Sequence, residues 1–220
     1  MIASCRDVRT SIPNVDWGFE HDVIVHQLAK ESEPSMTGDP FIFNRKTPFS
    51  IRVLSGKDVV QMRNIRLEAL TNHPEAFGTD VSEEAARSLD FQRDRLIDPQ
   101  NIVHGAFDPT GQLVAIAGFR ISSGVKERHR GHLWGIYVRP VARGTGLVRR
   151  FLTIVLNNAF GMVEQIELEV LSTSITARAL YESIGFQKVG QVPSARKIND
   201  KLYNDDCMVL TIEEWRQMSR

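Results

Sequence analysis

A strand that runs into a helix through closely spaced glycines limits this chain more than any other stretch. Within residues 133–150 an apolar strand ends at Val138, Arg139-Pro140 turns the backbone, and Arg143-Gly144-Thr145-Gly146 opens a helix. That helix sets Val148, Phe151, Leu152, Val155 and Ala159 on one stripe and Arg149, Thr153 and Asn157 on the other, as an element with one buried face does. Glycines at such a junction let main-chain N–H groups approach an anion closely, and the helix dipole adds favourable potential. The turn therefore reads as a cradle for a pyrophosphate. Two familiar nucleotide cradles do not fit. A P-loop needs Lys-Ser/Thr after its last glycine, where Leu147-Val148 stands, and a dinucleotide fingerprint needs a third glycine where Arg149 stands.

Upstream, residues 49–54 alternate apolar and polar positions as a strand does, and Ser55 precedes an amphipathic helical stretch, 57–71, ending near His73-Pro74. Ser82-Glu83-Glu84-Ala85 predicts a second helix, capped by Ser82 and running toward Ile97. Asp108-Pro109-Thr110-Gly111 predicts a hairpin between strands 101–107 and 112–120. After a polar loop, 122–131, the expected order is strand 132–138, helix 145–160, strand 165–170, helix 175–184 and strand 186–192. A last strand, 206–212, precedes a short polar tail. Two successive strand–helix–strand units predict parallel pairing, whereas the hairpin predicts antiparallel pairing. The fold class is α/β, with a mixed, partly parallel central sheet and helices on both faces.

The 220 residues are 42% hydrophobic and 25% charged, enough for a single core and unlike collagen-like, coiled-coil or wholly disordered chains. Lys+Arg and Asp+Glu both total 27, so no overall basic field favours nucleic acid or a membrane surface. The charge is uneven all the same. Residues 120–150 hold Arg120, Lys126, Arg128, Arg130, Arg139, Arg143, Arg149 and Arg150 against Glu127 alone. A multiply phosphorylated small ligand suits that concentration, although arginines solvating a loop and a helix face would look the same. No apolar run nears the ~20 residues of a membrane span. Cys5 and Cys207 are too few for a disulfide framework, and His129 and His132 have no evident Cys or acidic partner, so no metal is expected and a reducing, cytoplasmic setting is the default. Residues 1–48 read as a loosely ordered extension with breaker clusters, one short helix over 22–30 and no signal or transit peptide; residues 49–220 form the domain.

The glycine turn and one further motif together resemble the GNAT superfamily of N-acetyltransferases. Arg143 and Gly146 match its Arg/Gln-x-x-Gly-x-Gly/Ala acyl-CoA motif, Gly144 is the usual extra glycine, and Val148 stands where Gly or Ala is usual. Ala177-Arg178-Ala179-Leu180-Tyr181-Glu182-Ser183-Ile184-Gly185-Phe186 is similar to the family's Asn-x-x-Ala-x-x-Leu-Tyr-x-x-x-Gly-Phe segment, with Ser174 in place of the asparagine. Arg66-Leu67-Glu68-Ala69-Leu70 and His73-Pro74-Glu75-Ala76-Phe77-Gly78 look like one bacterial-type branch, so the resemblance spans about residues 49–212. It implies transfer of an acetyl group from acetyl-CoA to a primary amine by direct attack in a ternary complex. The pyrophosphate of the cosubstrate would meet Arg143, Gly144, Thr145, Gly146, Leu147, Val148 and Arg149, with Ser174 beside it. The pantetheine would pair with Ile136, Tyr137 and Val138 where two parallel strands splay. Tyr181 would protonate the departing thiolate as general acid.

Tyr181 falls about 100° round its helix from Leu180, at the edge of the stripe Ala177, Leu180 and Ile184, whence its hydroxyl is expected to reach a cleft. A boundary tyrosine that packs its ring and wets its hydroxyl would show the same spacing. Ser174 is expected to cap this helix and Gly185 to end it. An amine is mostly protonated near neutral pH, so a base is needed. Glu167 and Glu169 share one strand face and Glu169 is taken as the candidate base; Asp205 and Asp206 rival it, and each acid could equally be solvated surface charge. Phe77, Trp134, Tyr137 and Tyr203 line an acceptor pocket or simply pack, and Cys207 reads as a buried small hydrophobe. A non-catalytic acyl-CoA-binding module is the alternative to an enzyme. Neither the acceptor nor the oligomeric state, a homodimer included, follows from the sequence.

Overall fold

The computed structural model describes residues 48–218; the N-terminal extension, its expected helix and Cys5 lie outside the described residues. The strands are β1 (Ser50–Val53), β2 (Asn101–Phe107), β3 (Leu113–Ile121), β4 (Arg130–Val138), β5 (Gln165–Leu171), β6 (Gln187–Ile198) and β7 (Lys201–Thr211). The helices are α1 (Val59–Asn72), α2 (Val81–Ala86), α3 (Leu89–Ile97), α4 (Leu147–Ala159), α5 (Ile175–Ile184) and α6 (Ile212–Met218). The strands make one sheet in the order β1-β2-β3-β4-β5-β7-β6, antiparallel everywhere except between β4 and β5.

Local chemistry explains most boundaries. The Asp58 carboxylate accepts from the Ser55 amide at 2.8 Å and pairs with Arg52, fixing the entry to α1. Arg52 and Ser55 together hold the Asp58 carboxyl well below the usual carboxylate range. Proline cannot extend a helix and disfavours the helical conformation in the residue before it, so α1 stops at His73 before Pro74. In the β2–β3 hairpin, Asp108 accepts from the amides of Thr110 and Gln112, and Gly111 takes the left-handed conformation at φ 82°. Gly185, at φ 106°, ends α5 as expected.

The expected helix from Ser82 to Ile97 is instead two. Asp80, not Ser82, caps α2 by accepting from the Ser82 amide, the chain leaves the helical conformation at Arg87, and Ser88 caps α3 through the Phe91 amide. The break lets Glu84, Arg87 and Gln92 close a buried polar joint, with the Arg66 guanidinium of α1 3.7 Å from Glu84. The last third also departs from expectation. The stretch between the expected strands 186–192 and 206–212 continues both strands, and residues 196–204 form the tip of a β6–β7 hairpin, whose two-residue turn puts Asn199 and Asp200 at φ 47° and 62°. The polar tail is α6, held by Trp215 stacking on Phe160 and donating to Asn157.

Only the first strand–helix–strand unit gives parallel neighbours. β7 inserts antiparallel between β5 and β6, so the second unit aligns its strands without pairing them. Two cores result. One face packs Phe151, Leu152 and Val155 of α4 and Ala177 and Ile184 of α5 on Ile136, Ile166 and Met208. The other packs Met62, Ile65 and Leu70 of α1 on Val103, Ile116, Trp134 and Tyr137.

Candidate active site

β4 and β5 pair at Arg130–Gln165, Gly131–Ile166 and His132–Glu167 and then part. The expected splay is therefore present, and it opens toward the C-terminal ends of both strands. A bulge steers β4 away: between the rows Gly118–Trp134 and Ile116–Tyr137, β4 has two residues where β3 has one. Gly135 takes the left-handed conformation there, at φ 62°, and a β-carbon on it would stand 3.1 Å from Nη1 of Arg66. Past the bulge, Ile136 and Val138 face the α4 side, whereas Tyr137 faces α1.

The glycine turn lies at the mouth of this split. Gly144 and Gly146 are left-handed, at φ 72° and 79°, and open space surrounds the β-carbon position of both. Gly146 occupies the cap position of α4 and offers no side chain to its first amides. The amides of Gly144, Thr145, Gly146 and Val148 donate to no oxygen among the described residues, and that of Leu147 reaches only Thr145 Oγ1, at 3.4 Å. A run of unpaired amides at the positive end of a 13-residue helix suits a pyrophosphate. Leu147 and Val148 bury their side chains in the core, so only their main chain faces the turn, and the bulk of Val148 points away from it.

The basic segment divides by role. Arg120, Arg130 and Arg139 pair with Asp98, Glu167 and Glu68. Arg149 ties α4 to Ser183 of α5, and Arg143 donates to the Val138 carbonyl at 2.9 Å with its guanidinium 6.0 Å from the Tyr137 ring. Ser174 is buried at the α5 cap position, but its side chain makes no capping bond, contrary to expectation.

Tyr181 does not sit at the edge of its stripe. It is fully buried, edge-on to Phe186 with ring centroids 5.8 Å apart, and its hydroxyl has no partner among the described residues. Burial pushes its phenol far above the ordinary tyrosine value. An orphaned buried hydroxyl costs about 1–3 kcal/mol, which an arriving ligand atom would relieve.

The four candidate acids separate by face. The β5–β7 register sets Asp206 beside Val170 on the α5 side, and Glu167 and Asp205 on the α1 side with Glu169. Asp206 is clamped by Lys188, Ser172, Gln191 and Arg178, which hold its carboxyl below the usual range against burial. Asp205 pairs with Arg196 at 2.9 Å, and Glu169 is buried beside Cys207. None of the four is the solvated charge that sequence alone allowed. Phe77, Trp134 and Tyr137 pack in the α1-side core, and Cys207 is buried as expected. Among the described residues no group of acids, histidines and cysteines is placed to hold a metal, and no helix is long and apolar enough to cross a membrane.

Sequence reasoning missed one cluster. Glu68 of α1 accepts from the Tyr137 hydroxyl at 3.0 Å and from Arg139 at 2.9 Å, and the His73 ring lies 6.3 Å from that of Tyr137. Partners nearly 70 positions apart leave no local spacing to read.

A model of the acetyltransferase (GNAT) family matches residues 61–186, from α1 to the end of α5. The chain belongs to that family. Its fold matches an acetyltransferase of the GNAT family from Streptococcus pneumoniae at TM-score 0.63 and 21% identity, over 74% of this chain and 99% of that one. It also matches a spermidine/spermine N-acetyltransferase from Vibrio cholerae at TM-score 0.61 and 18% identity, over 79% and 98%. At such identities the likeness is one of fold.

Proposed function

We propose that this GNAT protein transfers an acetyl group from acetyl-CoA to the nitrogen of a primary amine, by direct attack in a ternary complex. The observation that carries the reading is the junction of β4, the glycine turn and α4: a row of unpaired amides at the open end of a strand split. The Gly144–Val148 main chain, with Arg143 and Arg149 flanking it, would hold the pyrophosphate, and the backbone of Ile136, Tyr137 and Val138 would pair with the pantetheine arm. A strand N–H there would polarise the thioester carbonyl. Ser174, buried at the start of α5, would complete the wall of that site.

Tyr181 supplies the proton for the departing thiolate. Its burial keeps the phenol protonated, and the same dry surroundings raise the proton affinity of a thiolate arriving beside it. Calorimetry with CoA and thiol release from acetyl-CoA over a panel of amines test the reading. Tyr181→Phe is expected to lower turnover on the order of 10²-fold while leaving CoA affinity within about twofold. CoA binding with no turnover on any amine would favour the non-catalytic module, and no CoA binding by folded protein would end both readings.

A further inference from the structure

Direct attack requires a proton acceptor on the side from which the amine arrives. Tyr181 lies with the larger core on the α4–α5 face, so an amine that meets the thioester opposite it would come from the α1 face. We infer that His73 is the base that takes the proton from the acceptor amine, an assignment that rests on the acetyltransferase reading above.

The fold places this imidazole across the split. His73 is the C-terminal cap of α1, and its ring lies 6.3 Å from that of Tyr137, on the β4 segment proposed to pair with the pantetheine. The three residues that follow, Pro74–Ala76, form a 3-10 turn that packs against β5. One side thus neighbours β4 at Tyr137, beyond the row at which β4 and β5 cease to pair, and the other neighbours β5. His73 is half-buried, as a group that must meet both substrate and solvent should be.

The acids are less suited. Glu167 is 2.7 Å from Arg130, Asp205 is paired with Arg196, and Asp206 faces the opposite side. A carboxylate ordinarily titrates near 4 and an imidazole near 6.5, so the imidazole is better matched to an ammonium at neutral pH. The titratable and charged groups on the elements around the ring are Arg63, Arg66 and Glu68 on α1, Glu75 in the turn, Arg130, His132 and Tyr137 on β4, Arg139 and Arg143 after it, and Glu167 and Glu169 on β5.

In the step proposed, the imidazole takes one proton from the ammonium and passes it to solvent. The freed nitrogen lone pair forms the C–N bond as the C–S bond breaks. Tyr181 gives its proton to sulfur, and the extra proton on the new amide nitrogen restores the tyrosine. The sum is an amine acetylated, one CoA thiol and one proton released.

The test uses the full chain with acetyl-CoA and the best acceptor of the panel, or water as acceptor if hydrolysis alone is seen. Wild-type kcat/KM should show an acid limb that reports ionisation of the base. His73→Gln should abolish that limb and lower kcat on the order of 10²- to 10³-fold, with CoA affinity by calorimetry within about twofold. In wild-type protein the His73 ring proton, identified by its loss in His73→Gln, should shift on addition of acetyl-CoA. A limb that survives in His73→Gln and in a second variant, His73→Asn, overturns the inference, as does a limb removed by Glu169→Gln alone. A His73 resonance indifferent to acetyl-CoA, in protein that binds it, overturns the inference too. Failure of the wild type to bind CoA overturns the acetyltransferase reading itself, which separates the two results.

Discussion

At Gly146 a left-handed backbone, open space and the cap position of α4 coincide. Gly146→Glu would place a carboxylate where the pyrophosphate is proposed to lie, and the expected outcome is loss of CoA affinity by at least ~10²-fold, measured by calorimetry. Gly146→Ala brings the same backbone strain without the charge and should keep more of the affinity, so the pair separates conformation from electrostatics. A second residue governs stability. His104 on β2 is buried, bonded through Nε2 to the Asn158 side chain at 2.8 Å, and its Nδ1 has no partner. Burial lowers its pKa from 6.5 to about 4. The unfolded chain therefore takes up this proton at higher pH than the folded one, and stability falls as pH drops from 6.5 toward about 4, by roughly 3 kcal/mol in full. Thermal unfolding between about pH 7.5 and pH 4.5 should show that decline, and His104→Gln should flatten it.

At the scale of elements, the break between α2 and α3 makes two serines unequal. Ser88 caps α3 through the Phe91 amide at 3.1 Å, whereas Ser82 lies inside α2, which Asp80 caps. Ser88→Ala should cost about 1 kcal/mol and Ser82→Ala distinctly less, as read by denaturant midpoints at constant slope. Glycines serve the sheet in the same local way. A methyl on Gly118 would overlap the ring of its partner Trp134, so the β3 position of that row, at which the bulge begins, is kept for glycine. Much of this level was legible. The hairpin at 108–111, the stripe on α4, the limits of α5 and the stop at Gly185 all follow from short-range patterns. The 196–204 tip was not, because its Asn-Asp turn lacks the Gly that usually marks such hairpins.

At the scale of the molecule, the proposed cosubstrate would bridge both parallel strands, the α4 terminus and α5. Binding to the folded state alone should stabilise the whole domain by about 2.7 kcal/mol with CoA at 100 times its Kd, a rise in Tm of several degrees that Gly146→Glu should abolish. The sequence by itself determined the strand–turn–helix that bears the cradle, the order of most elements, the mixed sheet and the candidate general acid, since each rests on residues a few positions apart. The tertiary structure decided which strands are neighbours: the more buried β7 lies beside β5 and the more exposed β6 takes the edge, an arrangement set by burial and not by any local motif. It also decided that Tyr181 is interior, that Glu167, Asp205 and Asp206 are held in ion pairs, and that Glu68 and His73 meet Tyr137. Those contacts join residues far apart in the chain, and only the packed sheet brings them together.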